Sequence, residues 1–139
     1  MISAAQNLSD ALDLNTPNAH VLGEAFWNLV THYDLSRREQ AILLGMNPDN
    51  RKTLQDYESK KMIPVEADKF ARVGILLGIH KNLRILYPQN RDVVYNWMTT
   101  AQKLFHGKSP MDFVAADEAN SFLRLMMVRR ALDVLRTSF

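Results

Sequence analysis

Arg51, Lys52 and Gln55 fall within about one helical turn of each other, with Asn50 before them and Lys60 after. Arginine and lysine reach phosphates, and arginine and glutamine are the usual readers of guanine and adenine edges. Upstream lie Arg37 and Arg38, then Ala41 and, four positions on, Gly45. A small residue followed at that spacing by glycine lets two helices of a helix-turn-helix cross closely, and Leu54 with Tyr57 supplies the apolar pins for the second helix. The alternative for the same residues is two packed core helices with a solvated charged face. The turn through Asn47, Pro48 and Asp49 is about three residues longer than the ordinary motif, and Asp49, Asp56 and Glu58 bring negative charge to the presumed DNA face. DNA binding is therefore expected to depend on dimerisation or on a partner.

Catalytic chemistry finds less support. His20, His32, His80 and His106 are scattered without metal-ligand spacing, and the absence of cysteine excludes thiolate nucleophiles and sulfur-ligated zinc. No glycine-rich phosphate loop or nucleophile elbow occurs. Asp117 and Glu118 are adjacent carboxylates, but they sit where a helix start favours negative charge. The seven methionines read first as core filling. Arg124, Arg129, Arg130 and Arg136 near the C-terminus cannot all share one helix face, so part of them reads as solvated surface. No catalytic, cofactor or metal residue is expected.

The elements that must position these residues read as helices almost throughout, because apolar residues recur at three- and four-residue steps without sustained alternation. Residues 1–17 read as a flexible tail. A first helix over about residues 19–33 carries Val21, Leu22, Ala25, Phe26, Leu29, Val30 and Tyr33 on its core face. Ser36 and Glu39 form a capping box that opens a second helix at Arg37, and Gly45 stops it. A third helix runs through Thr53, Leu54 and Tyr57. Pro64 is placed in the first turn of a fourth, which Pro88 ends, with Gly74 and Gly78 available for close packing or a bend. A short fifth helix spans residues 92–98. Ser109 and Pro110 open a sixth, and Asp117 caps a last helix that turns Phe122, Leu123, Met126, Ala131, Leu132 and Leu135 to the core.

The chain of 139 residues is long enough to bury a core without metal or disulfide support. Residues 1–36 carry four acids and no lysine or arginine, whereas residues 37–91 carry eleven basic and six acidic residues, and this basic middle favours a polyanionic partner. Met1 to Ser9 lack signal-peptide features, and no apolar run approaches the ~18 residues of a membrane span. A cytoplasmic protein without membrane contact is expected. The composition shift near Pro88 and Asn90 divides residues 18–88 from residues 89–139.

Trp97, Met98, Thr99 and Thr100, followed by the run Phe105, His106, Gly107, Lys108, Ser109, Pro110, Met111 and Asp112, closely resemble the toxin-binding signature of Xre/MbcA/ParS-type antitoxins. That pattern is a tryptophan, a glycine ten positions on, then basic, Ser or Thr, Pro, apolar and acidic residues. Those antitoxins also carry an N-terminal helix-turn-helix resembling residues 26–57 and a connecting helix like residues 67–87. The resemblance covers residues 21–135 and departs at Gln102, where asparagine is common, and at His106, where a second glycine is frequent. Trp97, Gly107, Ser109 and Pro110, with Ala41 and Gly45, read as scaffold rather than contacts.

The resemblance implies an all-α antitoxin with an N-terminal helix-turn-helix bundle and a small helical toxin-binding subdomain over residues 89–139. It implies neutralisation of a RES-domain toxin, an enzyme that consumes or transfers from NAD, and repression of its own operon. A homodimer is expected because paired recognition helices match palindromic operators. Lys108, Arg124, Arg129, Arg130 and Arg136 are the expected toxin contacts; Arg37, Arg38, Asn50, Arg51, Lys52, Gln55 and Lys60 are the expected DNA contacts. Two readings stay open beside it: a regulator without a toxin, and a neutraliser whose helix-turn-helix is vestigial.

Overall fold

The computed structural model describes residues 17–138. Among the described residues there are seven α-helices: α1 (Pro17–His32), α2 (Arg37–Leu44), α3 (Arg51–Ser59), α4 (Ala67–Leu86), α5 (Arg91–Asn96), α6 (Pro110–Ala115) and α7 (Ser121–Thr137). Short 3-10 turns occupy Trp97–Thr99, Lys103–Phe105 and Glu118–Asn120. The described residues contain no strand, so the fold is all-α. None of their helices is long and apolar enough to cross a membrane. The expected tail lies outside the described residues except for Pro17, which opens α1.

Local chemistry explains most boundaries. Ser36 Oγ accepts from the Glu39 amide at 3.1 Å while the Ser36 amide donates to Glu39 Oε1 at 2.9 Å, so the expected capping box starts α2. Gly45 ends it at φ +66°, a conformation that glycine adopts without a side-chain penalty, and the Met46 amide closes back on the Ala41 carbonyl at 2.9 Å. Asn50 Oδ1 receives the Thr53 amide and starts α3. Ser109 Oγ receives the Asp112 amide at 3.0 Å and starts α6, with Pro110 in its first position.

Four expectations change. Pro64 is not in a helix, since α4 begins three residues later at Ala67. Ile63 and Pro64 are buried and the Trp27 indole donates to the Met62 carbonyl at 2.7 Å, so this non-helical stretch is held against the core before α4 starts. Asp117 does not cap α7; its carboxylate accepts from Asn120 Nδ2 at 2.8 Å ahead of a 3-10 turn. Burial of Ser121 under the Arg72 guanidinium, 2.9 Å away, sets where α7 begins. The core face of α7 is Ser121, Leu125, Val128 and Leu132, whereas Leu123 and Met126 face outward. On α1, Val21 is likewise exposed.

One hydrophobic core runs from Phe26 to Leu132 and includes Val94, Trp97, Met98, Met111 and Val114. The last helix lies along α4, in the most extensive helix pairing of the fold. Residues 89–138 thus share the core of the preceding helices. The close approach expected at the two α4 glycines occurs at one: the Arg129 side chain lies over Gly78, while nothing approaches Gly74.

Candidate nucleic-acid and partner interfaces

Leu54 is buried and Tyr57 partly so, which fixes the inner face of α3. Arg51, Lys52 and Gln55 then fall within about 100° of each other on the outer face, by the 100° step of a helix. All three are exposed, and their side chains make no hydrogen bond or ion pair among the described residues. Asn50 and Lys60 are exposed at the two ends; Asn50 is engaged as the helix cap. The acid Asp56 shares the outer face.

Arg37 and Arg38 are held differently. Arg37 joins α2 to α3 through Glu58 at 2.6 Å and also donates to Gln40 Oε1 at 3.1 Å. Arg38 pairs with Glu118, tying α2 to the turn before α7. Both guanidiniums are ion-paired, whereas Arg51 and Lys52 of the α3 face have no such partner among the described residues, although Arg38 stays exposed.

The turn between α2 and α3, residues 45–50, is braced from α4 by two cations that sequence reasoning did not single out. Lys69 is buried and donates to the Gly45 carbonyl at 3.3 Å. Arg72 reaches the Ile42 and Leu43 carbonyls at 3.5 and 3.4 Å, Ser121 Oγ at 2.9 Å, and the Phe122 ring, whose centroid is 5.4 Å away. Positive charge at a helix C-terminus complements its dipole. A Cβ at Gly45 would stand 2.6 Å from the Arg72 guanidinium, so this glycine makes room for α4 rather than for a crossing by α3. Asp68 completes the bracket, 3.0 Å from Lys69 and 2.9 Å from Arg72. Burial pushes its carboxyl up, but hydrogen bonds and charge from these two cations outweigh it and hold Asp68 below its ordinary value.

Beyond α5, Trp97 is buried edge-on against Phe105, and Phe105 packs on Phe113 with centroids 5.0 Å apart. The intervening loop closes on Gln102, whose amide donates to the Lys108 carbonyl and whose carbonyl accepts from the Gly107 amide, both at 3.0 Å. His106 and Gly107 take φ values of +56° and +87°. Gly107 fits that turn without strain and His106 does not, so the departure from glycine at 106 falls on a left-handed position. Lys108 is exposed.

The arginines of α7 divide sharply. Arg124 donates to the Phe113 carbonyl at 2.8 Å and covers the Phe113 ring at 4.6 Å, Arg129 lies on Gly78, and Arg136 donates to the buried Asn82 at 2.7 Å. Arg124 and Arg136 brace the helix through hydrogen bonds, whereas Arg129 is exposed and lies on Gly78 without one among the described residues. Arg130 is exposed and makes no such contact among the described residues. Around it stand Leu123, Met126, Met127 and Val134, each 46–56% exposed. Successive 100° steps put all five on an arc of about 100°, opposite the buried stripe. Leu123, Met127 and Val134 repeat at the spacing of an apolar face, a signal the sequence carries but that the core face of the same helix masks.

Among the described residues no cluster of His, Asp or Glu is arranged to hold a metal. No protein-family model, curated protein or solved structure matches this chain.

Proposed function

We propose that this protein is an antitoxin that binds a RES-domain toxin through the outer face of α7 and represses its own operon through α3. The observation that carries the reading is the α7 face, where four large apolar side chains surround Arg130 while Arg124 and Arg136 are hydrogen-bonded internally and Arg129 lies on Gly78. A contiguous apolar face with a central cation suits a protein partner better than water. Among the residues assigned to the toxin from the sequence, Arg130 and Lys108 remain as contacts; Arg124 and Arg136 act as braces, and Arg129 covers Gly78. Support for the operon-binding half comes from the open face of Arg51, Lys52 and Gln55, with Arg37 and Arg38 serving mainly to hold α2 in place.

The test is purification of the tagged protein from its native locus together with the products of the adjacent reading frames, followed by measurement of cellular NAD when the partner alone is induced. A tight partner whose free expression depletes NAD is expected. Absence of any co-purifying neighbour would defeat the antitoxin reading. A second reading, a regulator without a toxin, draws on the α3 face itself and predicts strong, salt-dependent operator binding by the protein alone.

A further inference from the structure

A cleft of about 780 Å³ opens between the second half of α4 and α5, away from the residues assigned above. His80, Lys81 and Arg84 line it from α4, and Arg91 and Tyr95 line it from α5, with Tyr87 and Pro88 at the connection. No lining residue among the described ones is acidic. Arg37, Arg38, Lys69, Arg72 and Arg124 all have carboxylate partners, but Lys81, Arg84 and Arg91 have none among the described residues. Three cations without counter-ions around one concavity are arranged for an anion.

The cleft also has ring faces in fixed positions. Arg91 lies over the Tyr95 ring at 4.6 Å, and Tyr95 packs against His80 with centroids 5.3 Å apart. The His80 ring is oriented from behind by the buried Tyr33, whose hydroxyl is 2.9 Å from Nδ1. Burial, and secondarily Tyr95, push the Tyr33 phenol well up, so it keeps its proton and its hydroxyl shares a hydrogen bond with Nδ1. Burial, then Arg84 and His32, push His80 down and favour its neutral form. Tyr87, half-buried beside Arg84, adds a second aromatic surface.

We propose that this cleft binds a nucleotide, with Arg84 and Arg91 holding its phosphates and the Tyr87 ring stacking on its base, while the Tyr95 and His80 rings, covered by Arg91, His32 and Tyr33, form the floor. Guanidinium groups match phosphate oxygens in paired geometry, and aromatic rings stack on any base. The volume is that of a small-ligand pocket. This inference stands independently of the proposed function.

The experiment is titration calorimetry of the full chain with ADP, pyrophosphate, adenosine and a short single-stranded oligonucleotide. ADP is expected to bind saturably at one site, and pyrophosphate and adenosine each at least about tenfold more weakly, since each keeps only half of the contacts. Arg84→Ala with Arg91→Ala should weaken ADP by more than about tenfold, as expected for lost charge-assisted hydrogen bonds. Both residues are exposed, so the circular dichroism spectrum should not change. Arg51→Ala with Lys52→Ala should leave ADP binding intact. No saturation by about 1 mM ADP, a constant the double variant does not change, or equal affinity for pyrophosphate would overturn the proposal. So would binding of the oligonucleotide without ADP, which would mark the cleft as a phosphate track for a strand.

Discussion

Two glycines, each within a helix, should respond to alanine with opposite signs. A Cβ at Gly74 meets nothing within 4 Å, and the position is exposed in the middle of α4. Alanine there removes backbone freedom from the unfolded chain and adds no contact that must be relieved, a gain of about 0.5–1 kcal/mol. A Cβ at Gly23 would stand 2.5 Å from the Lys61 carbonyl oxygen and 2.8 Å from the Met62 Cα. Both are backbone atoms, and the segment is pinned by the Trp27–Met62 hydrogen bond and by buried Ile63. Relief requires that α1 and this strap separate, at a typical overpacking cost of about 1–3 kcal/mol against a helix-propensity gain of about 1 kcal/mol. Net destabilisation of up to about 2 kcal/mol is expected for Gly23→Ala. Urea unfolding at constant m-value measures both, and each kcal/mol corresponds to about 3–5 °C in Tm for a chain of this size. Gly23→Ala stabilising as much as Gly74→Ala, or Gly74→Ala destabilising, would refute the packing argument.

Other expectations follow from the same contacts. Lys61 holds φ +54° directly after α3, so Lys61→Gly should stabilise the fold by about 0.5 kcal/mol or more in the same urea assay. On the proposed operator-binding reading, Arg51→Ala with Lys52→Ala would remove up to four phosphate contacts from a two-fold pair of chains, and the slope of log K against log salt for operator DNA should become shallower by about 3–4. Asp68 has a depressed folded pKa, so its contribution is present above the unfolded value of 3.8 and is lost as pH falls through the lower folded value. Asp68→Asn should therefore destabilise the protein at neutral pH and narrow its advantage over the variant as pH drops below about 4, as followed by urea midpoints across pH.

Helix ends marked by short-range chemistry could be read from the sequence. Ser36 with Glu39, Gly45, and Ser109 with Pro110 each act within four residues, and each falls where the spacing puts it. The anchor role of Trp97 was legible for a similar reason, since an aromatic before a tight glycine turn has few places to go but the core. The phase of α7 was not. That helix carries large apolar residues on two opposite faces, Leu125, Val128 and Leu132 inside and Leu123, Met127 and Val134 outside, so periodicity alone does not choose between them. Pro64 and Asp117 have the right types for helix starts, but burial of Ile63 and Ser121 decided where α4 and α7 begin. The arginines were least legible. Whether Arg72 caps α2, Arg129 covers Gly78 or Arg130 is left outside depends on neighbours distant in sequence.

The most direct measurement is recovery of the partner by the tagged wild-type chain and by Leu123→Asp with Met127→Asp, both expressed from the native locus. Both side chains are about half exposed, so the double variant should keep the wild-type Tm within a few degrees. The wild type should retain a neighbouring gene product through purification, and the variant should lose it and no longer protect growth. A variant that keeps its Tm, its partner and its protection would contradict the assignment of the outer face of α7 as the neutralising surface.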